Sequence, residues 1–233
     1  MKKPKSITDN DELFRLVTAK SSLKNDVYNN TLGAFQLIKD VIKDLGEQYE
    51  KYQHNNGGEL PTKFEAKPVG KFEVDLKFGG DILLFMMHTN VFEFPRNHEV
   101  MRTSYVKEDS NRSYCGVINI YNFIADSFKY NRVNDVGYLI GRIFINKENH
   151  YFIEGKRELG FLYNNFGKNK LTSDSMETII KAAIKYTINF DLLTPPYDQV
   201  KFVAVNEIKS TLDSISVKTG KRLGFKFQAD DEE

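Results

Sequence analysis

Cysteine is nearly absent from this sequence: Cys115 alone among 233 residues. One thiol forms no internal disulfide, so the chain is not a small cross-linked scaffold and must be stabilised by a buried core. Tryptophan is missing, and proline occurs six times. Net charge is also missing, with 33 basic residues against 32 acidic. No global field therefore draws in nucleic acid or an anionic membrane, and such a partner has to be met by a local patch. No apolar run approaches the roughly 20 residues of a spanning helix. The start, Met1-Lys2-Lys3-Pro4-Lys5, leads into polar Ser6 to Glu12 rather than the apolar stretch of an export signal. Together these features lead us to expect a soluble, cytoplasmic protein with no membrane association.

What the chain does have is aromatic and aliphatic residues in two clear periods. Tyr28, Leu32, Phe35, Ile38, Ile42, Leu45, Tyr49 and Tyr52 recur at spacings of three and four, which makes one helical stripe. A shorter helix over Asp11 to Lys20 is expected before it. The stripe suits packing on a sheet, or pairing with a second copy as a helical homodimer seam. His54 to Gly58 breaks the helix, and Pro61 and Pro68 keep the next stretch extended, as a linker into the sheet. From Lys71 the period becomes two, with Phe72, Val74, Leu76 and Phe78 alternating with Glu73, Asp75 and Lys77. Gly79-Gly80 then closes a two-residue hairpin. The return strand, Ile82 to Met87, is apolar on both faces, so both faces need a cover.

Further strands are expected at Tyr114 to Phe123, Val136 to Ile145, His150 to Lys156 and Val200 to Val205. The 95–112 segment between them reads as a charged surface loop. Asp174 and Glu177 have the spacing of a capping box, and Met176, Ile179, Ile180, Ala183, Ile184 and Ile188 form a second amphipathic helix. The fold expected is α+β: an antiparallel meander of about five to six strands flanked by a long N-terminal helix and a C-terminal helix. Along the chain we expect a helical segment at 1–60 packing on the sheet, the sheet core at 61–210, and a basic then acidic mobile tail at 211–233, all in one domain.

Chemistry-bearing motifs are sparse. His150 to Lys156 resembles the Glu-x-Lys strand of metal-dependent, restriction-endonuclease-like nucleases, with Asp135, Glu154 and Lys156 as the implied catalytic set. In that chemistry two carboxylates hold Mg²⁺ and the lysine stabilises charge. Asp198, Glu207 and Lys209 offer a second set, and Glu65-Ala66-Lys67 repeats the tripeptide pattern. If Asn146 pairs with Asn149, Glu154 lies opposite Gly141 and Asp135 falls roughly 20 Å away, too far to share an ion. The same register puts Gly137, Gly141, Glu154 and Lys156 around a hollow open to a ligand or to a closely packed helix. Near the C-terminus, Lys218, Lys221, Arg222 and Lys226 interleave with Phe225 and Phe227, a pattern suited to gripping phosphates and stacking bases. The four histidines show no zinc spacing, and of these His98, among the charges of the 95–112 loop, is the one marked for mutation. Cys115 lies in an apolar strand, as an inert thiol does. The reading these signals favour is a non-catalytic binding domain that uses a sheet face or the 95–112 loop, with no cofactor. The nuclease and the nucleic-acid binder are its alternatives.

Overall fold

The computed structural model describes residues 9–57, 62–133, 135–156, 158–161, 165–190, 192–194, 196–206 and 220–221. In chain order the elements are α1 (Asp9–Asn55), β1 (Phe64–Gly70), β2 (Glu73–Phe78), β3 (Asp81–Met87) and β4 (Phe92–Glu93). Two short 3₁₀ turns, Glu99–Arg102 and Ser110–Ser113, bracket α2 (Ser104–Glu108). There follow β5 (Tyr114–Ile124), α3 (Ala125–Lys129), β6 (Tyr138–Asn146), β7 (Tyr151–Gly155), α4 (Glu158–Phe161) and α5 (Ser173–Ile188). The last described elements are β8 (Leu192–Leu193), α6 (Tyr197–Val200) and β9 (Gly220–Lys221). No described helix is long and apolar enough to cross a membrane.

The architecture is the expected α+β meander: β1-β2-β3-β5-β6-β7 in spatial order, all antiparallel, with β4 added beside the start of β5. Gly79 takes φ +57 in the β2–β3 hairpin, a left-handed conformation that a side chain would strain. Within the stretch expected as a linker, Phe64–Gly70 forms an edge strand. Pro68 is tolerated there because an edge strand leaves one side of its backbone without a ladder to donate to, and the pairing slips between Pro68 and Gly70.

The N-terminal region is one continuous helix of 47 residues rather than two, roughly 70 Å long at 1.5 Å per residue. Nothing between Lys20 and Tyr28 breaks a helix, and Leu23 and Val27 already sit in buried positions there. Helix α1 ends at Asn55, and Gly57 at φ +96 turns the chain away. The C-terminal helix also differs in detail. Its N-cap is Thr172, whose hydroxyl accepts from Ser175 N–H while the Ser175 hydroxyl accepts from Thr172 N–H. The capping box therefore lies two residues before the Asp174–Glu177 pair.

Both helices lie on the same side of the sheet. Phe35, Ile38 and Ile42 of α1 and Met176, Ile179, Ile180 and Ala183 of α5 share one core with Leu76, Leu83, Phe85, Ile118, Ile120, Ile143 and Ile153. The stripe set out as a possible dimer seam is thus largely consumed inside the molecule. Approach is close: a Cβ at Gly116 would stand 2.0 Å from Thr31 Oγ1, so only glycine lets α1 settle on β5.

The opposite face is covered from an unexpected source, and only over β5, β6 and β7: Leu84 and Met86 of β3 stay half-buried outside the cap's core, so the expected cover on both faces of β3 is incomplete. The 95–112 segment is no solvated excursion but a cap with its own core, in which Phe94, Val100, Val106, Cys115, Val117, Phe144, Phe152 and Phe166 are buried together. No strand forms at Val200 to Val205. Phe202 is 86% exposed there, because the apolar run lies outside the sheet. Lys221 belongs to the separate β8–β9 ladder, opposite Leu192. The rest of the expected tail lies outside the described residues.

Candidate functional site

Register decides what faces the cap. Asn146 N–H donates to the His150 carbonyl at 3.0 Å, and Asn149 stands at φ +61, so the β6–β7 loop holds three residues instead of two. Glu154 therefore pairs with Arg142, and Gly141 with Gly155. This one-residue slip from the expected register sends the side chains to opposite faces. Glu154 looks toward the cap, whereas Gly141 and Gly155 look toward α4. There a Cβ on Gly155 would come within 2.8 Å of Leu159 Cβ, so the glycine hollow is filled by a packed helix. Gly137 is separate again, with the Phe123 ring standing where its Cβ would go.

Around Glu154 the structure assembles a polar cluster with aromatic walls. Glu154 Oε1 lies 3.0 Å from His98 Nε2, and Oε2 accepts from Arg142 Nη2. His98 Nδ1 accepts from the Val100 amide at 3.2 Å, which assigns the ring proton to Nε2 and makes His98 the donor to Glu154. The imidazole stacks on Phe94, with centroids 4.6 Å apart, and meets Phe152 edge-on at 5.7 Å. The Arg142 guanidinium lies over Phe144 at 5.4 Å. One histidine thus does two jobs: it caps the Glu99–Arg102 turn and fastens the cap to the sheet.

Beside this cluster is a cavity of about 430 Å³, walled by Phe92, Phe94 and Phe144 and floored by Cys115 and Val117. Arg142, Asn119, His98 and His88 reach it with polar groups, as do the carboxylates of Glu93 and Glu154. Burial pushes the Cys115 thiol well up, so it stays protonated and unreactive near neutral pH. Both Glu154 oxygens are occupied, which disfavours a role as a general base. The arrangement can hold a ligand by ring contact and hydrogen bonding.

The cavity opens onto an uninterrupted cross-strand row, Glu73, Met86, Asn119, Arg142 and Glu154. Next to it run Asp75, Leu84 and Tyr121. Asp75 has its carboxyl pushed up to about 6, by burial first and by neighbouring Glu73 second. Its Oδ1 has no hydrogen-bond partner among the described residues.

A second cluster behind the cap anchors it. Buried Asn146 donates to Tyr105 Oη at 2.9 Å and accepts from the amides of Glu148 and His150, both at 3.0 Å. Tyr105 Oη donates to Glu148 at 2.7 Å, and Arg112 Nε donates to the same carboxylate at 2.9 Å. Burial acts to raise the Glu148 pKa, but the bonds from Arg112 and Tyr105 outweigh it and hold the group low. The Tyr105 hydroxyl is pushed up by burial. Every one of these groups is partnered within the cluster, which fits an anchor.

In the first nuclease set, Asp135 and Glu154 have separate partners. Asp135 accepts from Ser127 Oγ at 2.6 Å and pairs with Arg132, while Glu154 is held by His98 and Arg142. Lys156 stands past the end of β7, exposed. Asp198 pairs with Lys201 at 2.8 Å, and Glu207 and Lys209 lie outside the described residues. So do Lys218, Arg222, Phe225, Lys226 and Phe227. Among the described residues no three or more His, Cys, Asp or Glu side chains gather as a metal site. His98 and Glu154 were legible in the sequence as separate candidates. Arg142, Phe94, Phe144 and Asn119 were not, and their one signal was Asn149, a residue that tolerates the left-handed conformation and so marks the longer loop.

Fold and site together define an α+β protein with a two-faced antiparallel meander, helices on one face and a capped cavity on the other. Compared with family models, with curated proteins and with solved structures, the chain matches none of them.

Proposed function

We propose that this chain is a non-catalytic binding domain whose ligand site is the cavity between the 92–113 cap and the second face of the sheet. The observation that carries this reading is the cavity beside the His98–Glu154–Arg142 cluster. Its volume of about 430 Å³ falls within the range of small-molecule sites, and its walls are aromatic with a few convergent polar groups. Such a lining favours a small planar molecule with hydrogen-bonding groups at its edge, its acceptor toward Arg142. The same reading places the protein in the cytoplasm, supported by its single, buried thiol.

The test is a fragment screen by ligand-observed NMR on the wild type and on Asn119→Trp, which fills the cavity from the middle of β5. Planar fragments should bind the wild type and lose at least about tenfold in affinity in the variant, with Arg142→Ala selectively weakening those that carry a hydrogen-bond acceptor. Unchanged melting of Asn119→Trp would show that the fold is intact. Fragments that bind both proteins equally, or none that bind the wild type, would refute the site.

A further inference from the structure

The first turns of α1 are unaccounted for by the fold. Every residue from Asn10 to Ser22 is exposed, and Leu23 is the first to be buried. Lys20 already meets the sheet, its ammonium 3.6 Å over the Tyr114 ring of β5, so the ten residues from Asn10 to Ala19, roughly 15 Å of helix at 1.5 Å per residue, project beyond it. An isolated polar overhang of this length would be marginal as a helix in water. This one is not polar: Leu13, Phe14, Leu16 and Val17 are 54%, 62%, 64% and 55% exposed. By spacings of three and four, Leu13, Leu16 and Val17 continue through Lys20 the line that becomes Leu23 and Val27 on the sheet. The apolar stripe outlasts the surface it packs on.

We propose that this overhang is where two copies of the chain pair, antiparallel, through their α1 N-terminal turns. Charge along the helix is what singles out a second copy as the occupant. Glu12 precedes the apolar residues, and Lys20 and Lys24 follow them. Laid antiparallel about a two-fold axis near Leu16 and Val17, Leu16 of one copy meets Val17 of the other, and Glu12 of each lies beside the Lys20–Lys24 end of its partner. A parallel pair would set like charges together and forfeit this. Length agrees as well, since overhangs of roughly 15 Å let the helices lie side by side with the two sheets at opposite ends. One helical face of about three turns is a small interface, so the dimer is weak and reversible.

The test is sedimentation velocity of the full chain at two concentrations a hundredfold apart, with circular dichroism as the check on folding. The wild type should shift from monomer toward dimer. Leu16→Glu, a solvent-exposed site whose change leaves the core untouched, should remain monomeric with unchanged melting. Lys24→Glu alone and Glu12→Lys alone should each weaken association by about three- to tenfold, and the double exchange should restore it. A wild type that is monomeric at both concentrations overturns the proposal, including one that instead binds anionic vesicles. So does an association that survives Leu16→Glu, or a double exchange no better than the singles.

Discussion

Asp75 is the residue of the second face at which burial and Glu73 outweigh the cross-strand Lys67. Its carboxyl is raised to about 6 while an unfolded-chain aspartate titrates near 4. Between those values the folded state holds more protons than the unfolded state, so this group makes stability fall as pH rises through that window. Above it, the ionised and incompletely partnered carboxylate opposes folding. Asp75→Asn should therefore stabilise the protein by roughly 1 kcal/mol near pH 8, a figure reduced for the group's partial exposure. Near pH 3.5, below both values, the variant should have almost no effect. Urea unfolding at the two pH values checks this, and a variant less stable at the higher pH would show that Asp75 is a structural partner rather than a strained one. If the face binds a cation-bearing molecule beside the cavity, the same variant should weaken that binding. His98 teaches a related lesson: its tautomer follows from one backbone amide at Val100, a contact invisible until the chain has folded.

At the level of elements, the ends were harder to read than the bodies. Helix α5 was expected from its apolar spacing, yet its first turn is organised by Thr172 and Ser175 rather than by Asp174 and Glu177. Glu177 instead pairs with Lys181 one turn on. Thr172→Ala should accordingly cost about 1 kcal/mol of stability, and Ser175→Ala should add little once Thr172 is gone, because the two hydrogen bonds are reciprocal. Glu177→Ala should cost only a few tenths of a kcal/mol, the worth of an exposed helical ion pair. Thermal melts of the three variants decide between the boxes. Strand β1 was misread for a comparable reason: proline argues against a strand in general, and only the sheet order shows that Pro68 sits on an edge.

Over the whole molecule, the sheet carries two cores of different character. The α1–α5 side is aliphatic and large, and the cap side is small and built of rings around Phe94. Phe94 touches Phe144, Phe152, Phe166 and His98 at centroid distances of 4.6 to 6.1 Å. Phe94→Ala should cost about 3 kcal/mol. The loss should be local, so amide hydrogen exchange should quicken through 94–113 while the strand and helix amides facing the large core keep their protection. Uniform acceleration everywhere would mean that the cap and the sheet unfold as one unit.

The sequence by itself determined the class of elements, the meander and the Gly79 hairpin, because these follow from periodicity and from local backbone preference. It also marked His98 and Glu154 as residues of interest. Only the tertiary structure decided that both long helices share one face and that a charged-looking loop covers the β5–β7 part of the other. Only it set Glu154 opposite Arg142. The physical reason is common to all three: register and side of docking are settled by contacts between segments far apart in the chain. A one-residue change in a loop such as Lys147 to Asn149 reverses a whole strand's facing with no change in its pattern.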